Sequence, residues 1–243
     1  GPGGGTPRAS VIWMHGLGAD ASDFEPLVPQ LRLPRHLPVR FRFPQAPVRP
    51  VTLNAGYRMR AWYDIYGLSG SAPEDAAGIE ASSRRIHALV DREIESGVPA
   101  ERIVVAGFSQ GGAVALHSAL RHPRRLGGLL ALSTYLPLRD RLAAEASAAN
   151  RDLPILMCHG SYDPVLPLQF GEWSRDALRA AGHVVEWKAY PMQHEVSLPQ
   201  VADVELAVDQ EPDEQGGDHC QRRPFGRGHD ATEDAAQDDD RQQ

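Results

Sequence analysis

Apolar positions along the chain follow two rhythms. Short unbroken runs occur at Ser10–Met14, Ile103–Ala106, Gly127–Ser133, Ile155–Cys158 and Val184–Tyr190. Such runs, rich in β-branched residues and free of alternation, predict strands buried on both faces. Val39–Phe43 reads as one more strand. Between them the spacing changes to that of helices. Ile79, Ser82/Ser83, Ile86, Leu89/Val90 and Glu93/Ile94 recur on one face until Gly97-Val98-Pro99 stops them. Ala113 to Leu120 repeats the pattern, as do Phe170, Trp173, Ala177, Leu178 and Ala181, with Gly182 just past the end. A short helix interrupted by proline is expected around Phe24–Leu31. Strands alternating with helices at this spacing predict an α/β fold: a parallel sheet covered on both faces, without internal repeats.

Two stretches keep neither rhythm. Pro44 to Ser71 carries Pro44, Pro47 and Pro50 and a scatter of aromatics, and is expected to be an ordered excursion that could wall a pocket. From Gln210 onward Phe225 is the only large apolar residue among Asp, Glu, Gln, Gly and Arg. Too little surface can be buried there to offset the ordering entropy, so 210–243 reads as a disordered acidic tail. Residues 1–9 read as a flexible N-terminal segment and 10–209 as the folded domain.

Composition narrows the classes. The 243 residues, 42% of them hydrophobic, suffice for one substantial domain. The formal net charge is −7, but the tail contributes ten acids against four bases, leaving the body near neutral. A neutral body argues against nucleic acid as a partner. No run approaches the length of a membrane span, so no integral membrane segment is expected. Gly1–Pro7 has neither a basic region nor an apolar core, and is not read as a signal peptide. Cys158 and Cys220 form no disulfide framework, which points to a reducing cytoplasm. Nothing in the sequence fixes the oligomeric state; a homodimer is compatible with it.

The chemistry is concentrated at Gly107-Phe108-Ser109-Gln110-Gly111-Gly112. Gly-x-Ser-x-Gly alone is a weak signal. Placed between a buried strand and a helix it is the setting of a nucleophile elbow, where a sharp turn lifts the serine hydroxyl above the sheet. Glycine flanks the serine because a Cβ would collide with strand or helix. A nucleophilic serine needs a base, and the base a carboxylate. In a parallel sheet these lie at the carboxyl ends of strands, in the chain order Ser, Asp/Glu, His. Of the ten histidines, His15, His159 and His194 follow strands, and only His194 is late enough in the chain. His15 is expected to shape the turn at Gly16, and His159 lies at the foot of the acid loop. Asp163 follows its strand whereas Asp152 precedes it, so the expected triad is Ser109, Asp163 and His194. The backbone N–H groups of Leu17 and Gln110 are the expected oxyanion donors.

Gly16-Leu17-Gly18-Ala19-Asp20-Ala21 also matches the dinucleotide fingerprint. No Asp or Glu lies between Glu25 and Asp64 to meet a ribose, and Pro26 and Pro29 interrupt the next helix. His194-Glu195 is followed by Leu198 where a zinc motif needs a second histidine, and neither cysteine stands in a Cys-x-x-Cys pair. Neither a cofactor nor a metal is implied.

The segments Val11–Asp20, Phe43–Thr52, Met59–Asp64, Gly107–Gly112, His159-Gly160…Asp163-Pro164 and Tyr190–His194 stand in one order. That order resembles the acyl-protein thioesterase/bacterial carboxylesterase family of α/β-hydrolases, over about Ser10 to Val204. The resemblance implies hydrolysis of carboxylic esters and thioesters by the residues named, on small acyl esters, lysophospholipids or S-acylated proteins. It also implies that Leu53–Leu68 covers the acyl site, with Trp62 and Leu68 as candidate walls. Two departures stand out. The family usually carries at least one more strand ahead of Ser10, so the mostly parallel sheet is expected without it. Its closing helix is longer and more apolar than Leu198–Val208. A catalytically silent binding protein of the same fold is the alternative.

Overall fold

Each buried apolar run becomes a strand because its side chains find cover above and below. The computed structural model describes residues 7–31, 33, 38–197 and 200. Its strands are β1 (Ala9–Met14), β2 (Val39–Arg42), β3 (Val48–Val51), β4 (Tyr57–Arg60), β5 (Ile103–Phe108), β6 (Gly128–Leu132), β7 (Ile155–Gly160) and β8 (Val185–Tyr190). Six of them form one sheet in the order β2-β1-β5-β6-β7-β8, every pairing parallel. Register aligns Trp13 with Ala106, Ala106 with Leu130, and Leu130 with Leu156.

Alternate residues of the strands feed two cores. Ile12, Val105, Leu129 and Met157 face the larger one, together with Ile86 and Leu116 from the helices. Val11, Trp13, Ala106 and Leu156 face the other, which packs Phe24 and Leu31. Each such side chain contributes roughly 1.5–3 kcal/mol when fully buried. The helices are α1 (Ala76–Glu95), α2 (Gln110–Arg121), α3 (Leu142–Glu145) and α4 (Leu168–Ala180). Asp75 caps α1 by accepting from the Gly78 amide, and Gly182 leaves α4 at φ 91°. α2 is buried from Gln110 through Leu120, as a helix behind the central strand must be. No helix among the described residues is long and apolar enough to cross a membrane.

The structure departs from the pattern in two places. The helix expected around Phe24–Leu31 is a pair of 3-10 turns, Ala21–Asp23 and Glu25–Gln30, because Pro26 and Pro29 donate no amide hydrogen. Within the aperiodic excursion lies an antiparallel hairpin, with Val48 opposite Arg60 and Val51 opposite Tyr57. Its turn uses Ala55 at φ 53° and Gly56 at φ 76°. Gly1–Thr6, His36, the expected Leu198–Val208 helix apart from Gln200, and the acidic tail lie outside the described residues.

Candidate active site

The strand order reverses direction beside β1. From β1 the chain steps outward to β2, then returns to β5 on the other side and proceeds to β8. Such a switch leaves a crevice at the carboxyl ends of the two strands. Gly16 and Leu17 follow β1 there, and Ser109 and Gln110 follow β5.

Ser109 has φ 54° and ψ −121°, a conformation that costs a non-glycine residue on the order of 1–3 kcal/mol. Three contacts hold it there. Its N–H donates to Leu132 O at 2.9 Å, and its carbonyl accepts from Ala113 N at 3.1 Å and from the Thr134 hydroxyl at 2.6 Å. The flanking glycines are sterically required: a Cβ on Gly107 would lie 2.2 Å from Gly111 O, and one on Gly111 2.5 Å from Met14 O. The helix therefore begins directly on the strand, as the sequence context demands.

The Ser109 hydroxyl lies 2.9 Å from His194 Nε2, and His194 Nδ1 lies 2.6 Å from Asp163 Oδ2. A carboxylate only accepts, so His194 carries its hydrogen on Nδ1 and leaves Nε2 to receive the serine proton. Asp163 Oδ1 accepts from the amides of Val165 at 2.9 Å and Leu166 at 2.8 Å. The Phe108 ring packs against the His194 imidazole, 4.8 Å between centroids. Gly160 lets the His194 loop approach, since a Cβ there would sit 2.3 Å from Gln193 O. The structure thus brings Ser109, Asp163 and His194 into one hydrogen-bonded line.

Leu17 and Gln110 meet at the same cavity, and neither backbone amide has an acceptor among the described residues. The loop carrying Leu17 is pinned on several sides. Ala46 N donates to His15 Nε2 at 3.1 Å, so His15 donates its Nδ1–H to Gly16 O at 2.7 Å. Burial lowers the His15 pKa, and the ring stays neutral in that role. Gly18 N donates to Arg60 O of β4, and the Asp20 carboxylate accepts from Ser22 and Gln45. Those hydrogen bonds draw the Asp20 carboxyl down to about 2.

A cavity of about 600 Å³ opens over Ser109. Leu68 lines it, half exposed at its lip. Trp62 does not: it is buried, donating its indole N–H to His15 O at 2.9 Å. Several contributors have no simple signature in the sequence. The Gln110 side chain accepts from Trp62 N and donates to Tyr63 O, both at 2.8 Å, tying the elbow to the cavity wall. The hydroxyls of Tyr63 and Tyr135 meet at 2.8 Å on the cavity lining, and burial pushes the Tyr135 phenol up to about 12. Leu53 and Asn54 reach the cavity from the hairpin turn. Only the apolar and aromatic scatter of that excursion hinted at a wall. No cluster of His, Cys, Asp or Glu suited to a metal occurs among the described residues.

A parallel sheet that raises a strained serine on a strand-to-helix elbow, with later strand ends supplying a histidine and an aspartate, defines the α/β-hydrolase class. Within it the sequence profile of the Phospholipase/Carboxylesterase family matches residues 2–209, and the chain belongs to that family. It is 41% identical over 206 residues to an acyl-protein thioesterase 1 of Neurospora crassa, covering 81% of this chain and 84% of that protein. Against the acyl-protein thioesterase 1 of Yarrowia lipolytica identity is 37% over 201 residues, covering 81% and 88%. Among solved structures, Arabidopsis thaliana SOBER1 superposes with TM-score 0.79 at 31% identity, covering 83% of this chain and 97% of that one. Zea mays acyl-protein thioesterase 2 gives TM-score 0.74 at 33% identity, covering 83% and 93%. The protein is a serine hydrolase of the carboxylesterase type.

Proposed function

We propose that the protein cleaves acyl esters and thioesters through an acyl-enzyme on Ser109. The observation that carries this reading is the line Asp163–His194–Ser109 opening on an apolar cavity. Ser109 Oγ attacks the acyl carbonyl as His194 Nε2 takes its proton. The tetrahedral oxyanion is met by the amides of Leu17 and Gln110. Collapse expels the alcohol or thiol, which receives the proton from His194. Water then attacks the acyl-enzyme with His194 again as base, releasing the acid and restoring Ser109. Asp163 keeps the imidazole in the required tautomer and stabilises its cation.

The relatives' names and the apolar cavity favour S-acylated proteins, with lysophospholipids and small acyl esters as further substrates. All five residues come from one chain, so a monomer and a homodimer would each carry complete sites. We place the protein in the cytoplasm, where the buried Cys158 stays a thiol.

A fluorophosphonate probe should label Ser109, and a series of esters and thioesters of increasing acyl length should be turned over. A folded protein that ignores the probe and hydrolyses no member of the series would be a silent binding protein.

A further inference from the structure

His159 has no part in the proton relay just described, yet it lies against its acid. It is 1% exposed at the end of β7. Its Nε2 stands 2.8 Å from the Leu166 carbonyl, an oxygen that only accepts, so Nε2 carries the hydrogen. The same nitrogen is 3.7 Å from Asp163 Oδ2. The opposite edge, Nδ1, faces Gly171 of α4, where a Cβ would come within 2.6 Å. Trp187 of β8 stacks on the ring at 6.1 Å.

These contacts close a short circuit. Asp163 Oδ1 accepts from the Val165 and Leu166 amides, and Leu166 O accepts from His159. Leu166 is gripped at both its N–H and its C=O, and Asp163 Oδ1 is saturated. Only Oδ2 is left to face His194. We infer that His159 is a positioning residue for the catalytic acid: by holding the Leu166 carbonyl, it locks the 163–166 turn in the form that aims Oδ2 at His194. The inference rests on the assignment of Ser109, His194 and Asp163 as the triad.

The role requires a neutral ring. A cation 3.7 Å from Oδ2 would compete with His194 for one carboxylate. Burial lowers the His159 pKa and His194 lowers it further, against the opposing pull of the Leu166 carbonyl, of Asp163 and of Glu172 on α4. The tight approach of Gly171 leaves no space in which a second N–H on Nδ1 could be solvated. Burial thus favours the neutral ring, in which Nε2–H is the donor to Leu166.

The test compares wild type, Ser109→Ala, His159→Leu and His159→Gln by kcat, KM, the pH profile of kcat/KM and melting temperature. Glutamine can place an N–H near the same point without titrating, whereas leucine offers no donor. His159→Leu should lower kcat about 10- to 100-fold with KM within about twofold, as expected when a catalytic group is misaimed. Its acidic limb should move to lower pH, because a misdirected Asp163 no longer supports the His194 cation. His159→Gln should keep kcat within about threefold and the wild-type limb. If His159→Leu does not fold, His159→Asn replaces it, since its amide is too short to reach Leu166. A folded Leu or Asn variant with wild-type kcat and limb overturns the inference, as does a folded Gln variant with more than a tenfold loss. Should Ser109→Ala remain active, the triad assignment itself fails and this inference with it. An inactive Ser109→Ala beside wild-type behaviour of the His159 variants removes the inference alone.

Discussion

At the scale of single residues, the site is a set of groups each denied an alternative partner. His194 gives Nδ1–H to Asp163 and so keeps Nε2 for Ser109, and Asp163 has one oxygen committed to backbone amides. Ser109→Ala should remove several orders of magnitude of turnover while the fold survives. Asp163→Asn should cost on the order of 10³–10⁴ in kcat, because an amide favours the wrong imidazole tautomer. Asp152, exposed ahead of β7, serves as the control, and Asp152→Asn should hydrolyse like wild type. Steady-state rates of the purified variants decide this; an inactive Asp152→Asn beside an active Asp163→Asn would reassign the acid. Much of this was legible beforehand, since the rule that sites gather at strand ends depends only on placing strands and counting along the chain. The grip of the Gln110 side chain on Trp62 and Tyr63 was not, because it joins positions 48 and 47 residues apart with no shared pattern. Trp62 illustrates the same gap: an aromatic in a wall-forming stretch can face the cavity or sit beneath it, and here it lies buried against His15.

At the scale of elements, legibility followed burial. β5 and α2 were plain because both are enclosed, so their apolar residues had to keep the period of the element. β3 and β4 were not, being short, partly exposed and interrupted by Pro50, with only Gly56 to mark the turn. The contact between α1 and α2 holds a further consequence. His87 of α1 meets His122 edge to face at 4.9 Å, and His117 of α2 is buried nearby with both ring nitrogens unpartnered among the described residues. Burial, with help from Arg121, lowers the His117 pKa to about 4. Between that value and 6.5 the unfolded chain binds a proton that the folded one refuses, so stability falls as pH falls through this window. Urea unfolding at pH 7 and near pH 4 should show His117→Leu losing less than wild type, by up to about 3 kcal/mol. Parallel losses in the two proteins would mean that another group carries the acid sensitivity.

At the scale of the whole molecule, every residue given a role falls between His15 and His194, and the family match ends at residue 209. From Gln210 onward the sequence offers Phe225 as its only large apolar residue, and its charge favours solvation. Removing residues 210–243 should leave turnover and melting temperature unchanged. A large drop in either would show that the stretch packs on the body. The sheet's order, with β5 at its centre and the chain's last described strand at its edge, also sets a timetable. Nucleophile and oxyanion donors come from β1 and β5, but the base arrives only with β8, 85 residues beyond Ser109. Parallel pairing at such separations is slow, because the loop must close before any contact rewards it. A chain emerging from the ribosome can complete its nucleophile elbow and the helix behind it while still unable to touch a substrate bond. The base thus comes with the last of the described strands, and regained hydrolysis during refolding should report the docking of that edge rather than the forming of the elbow.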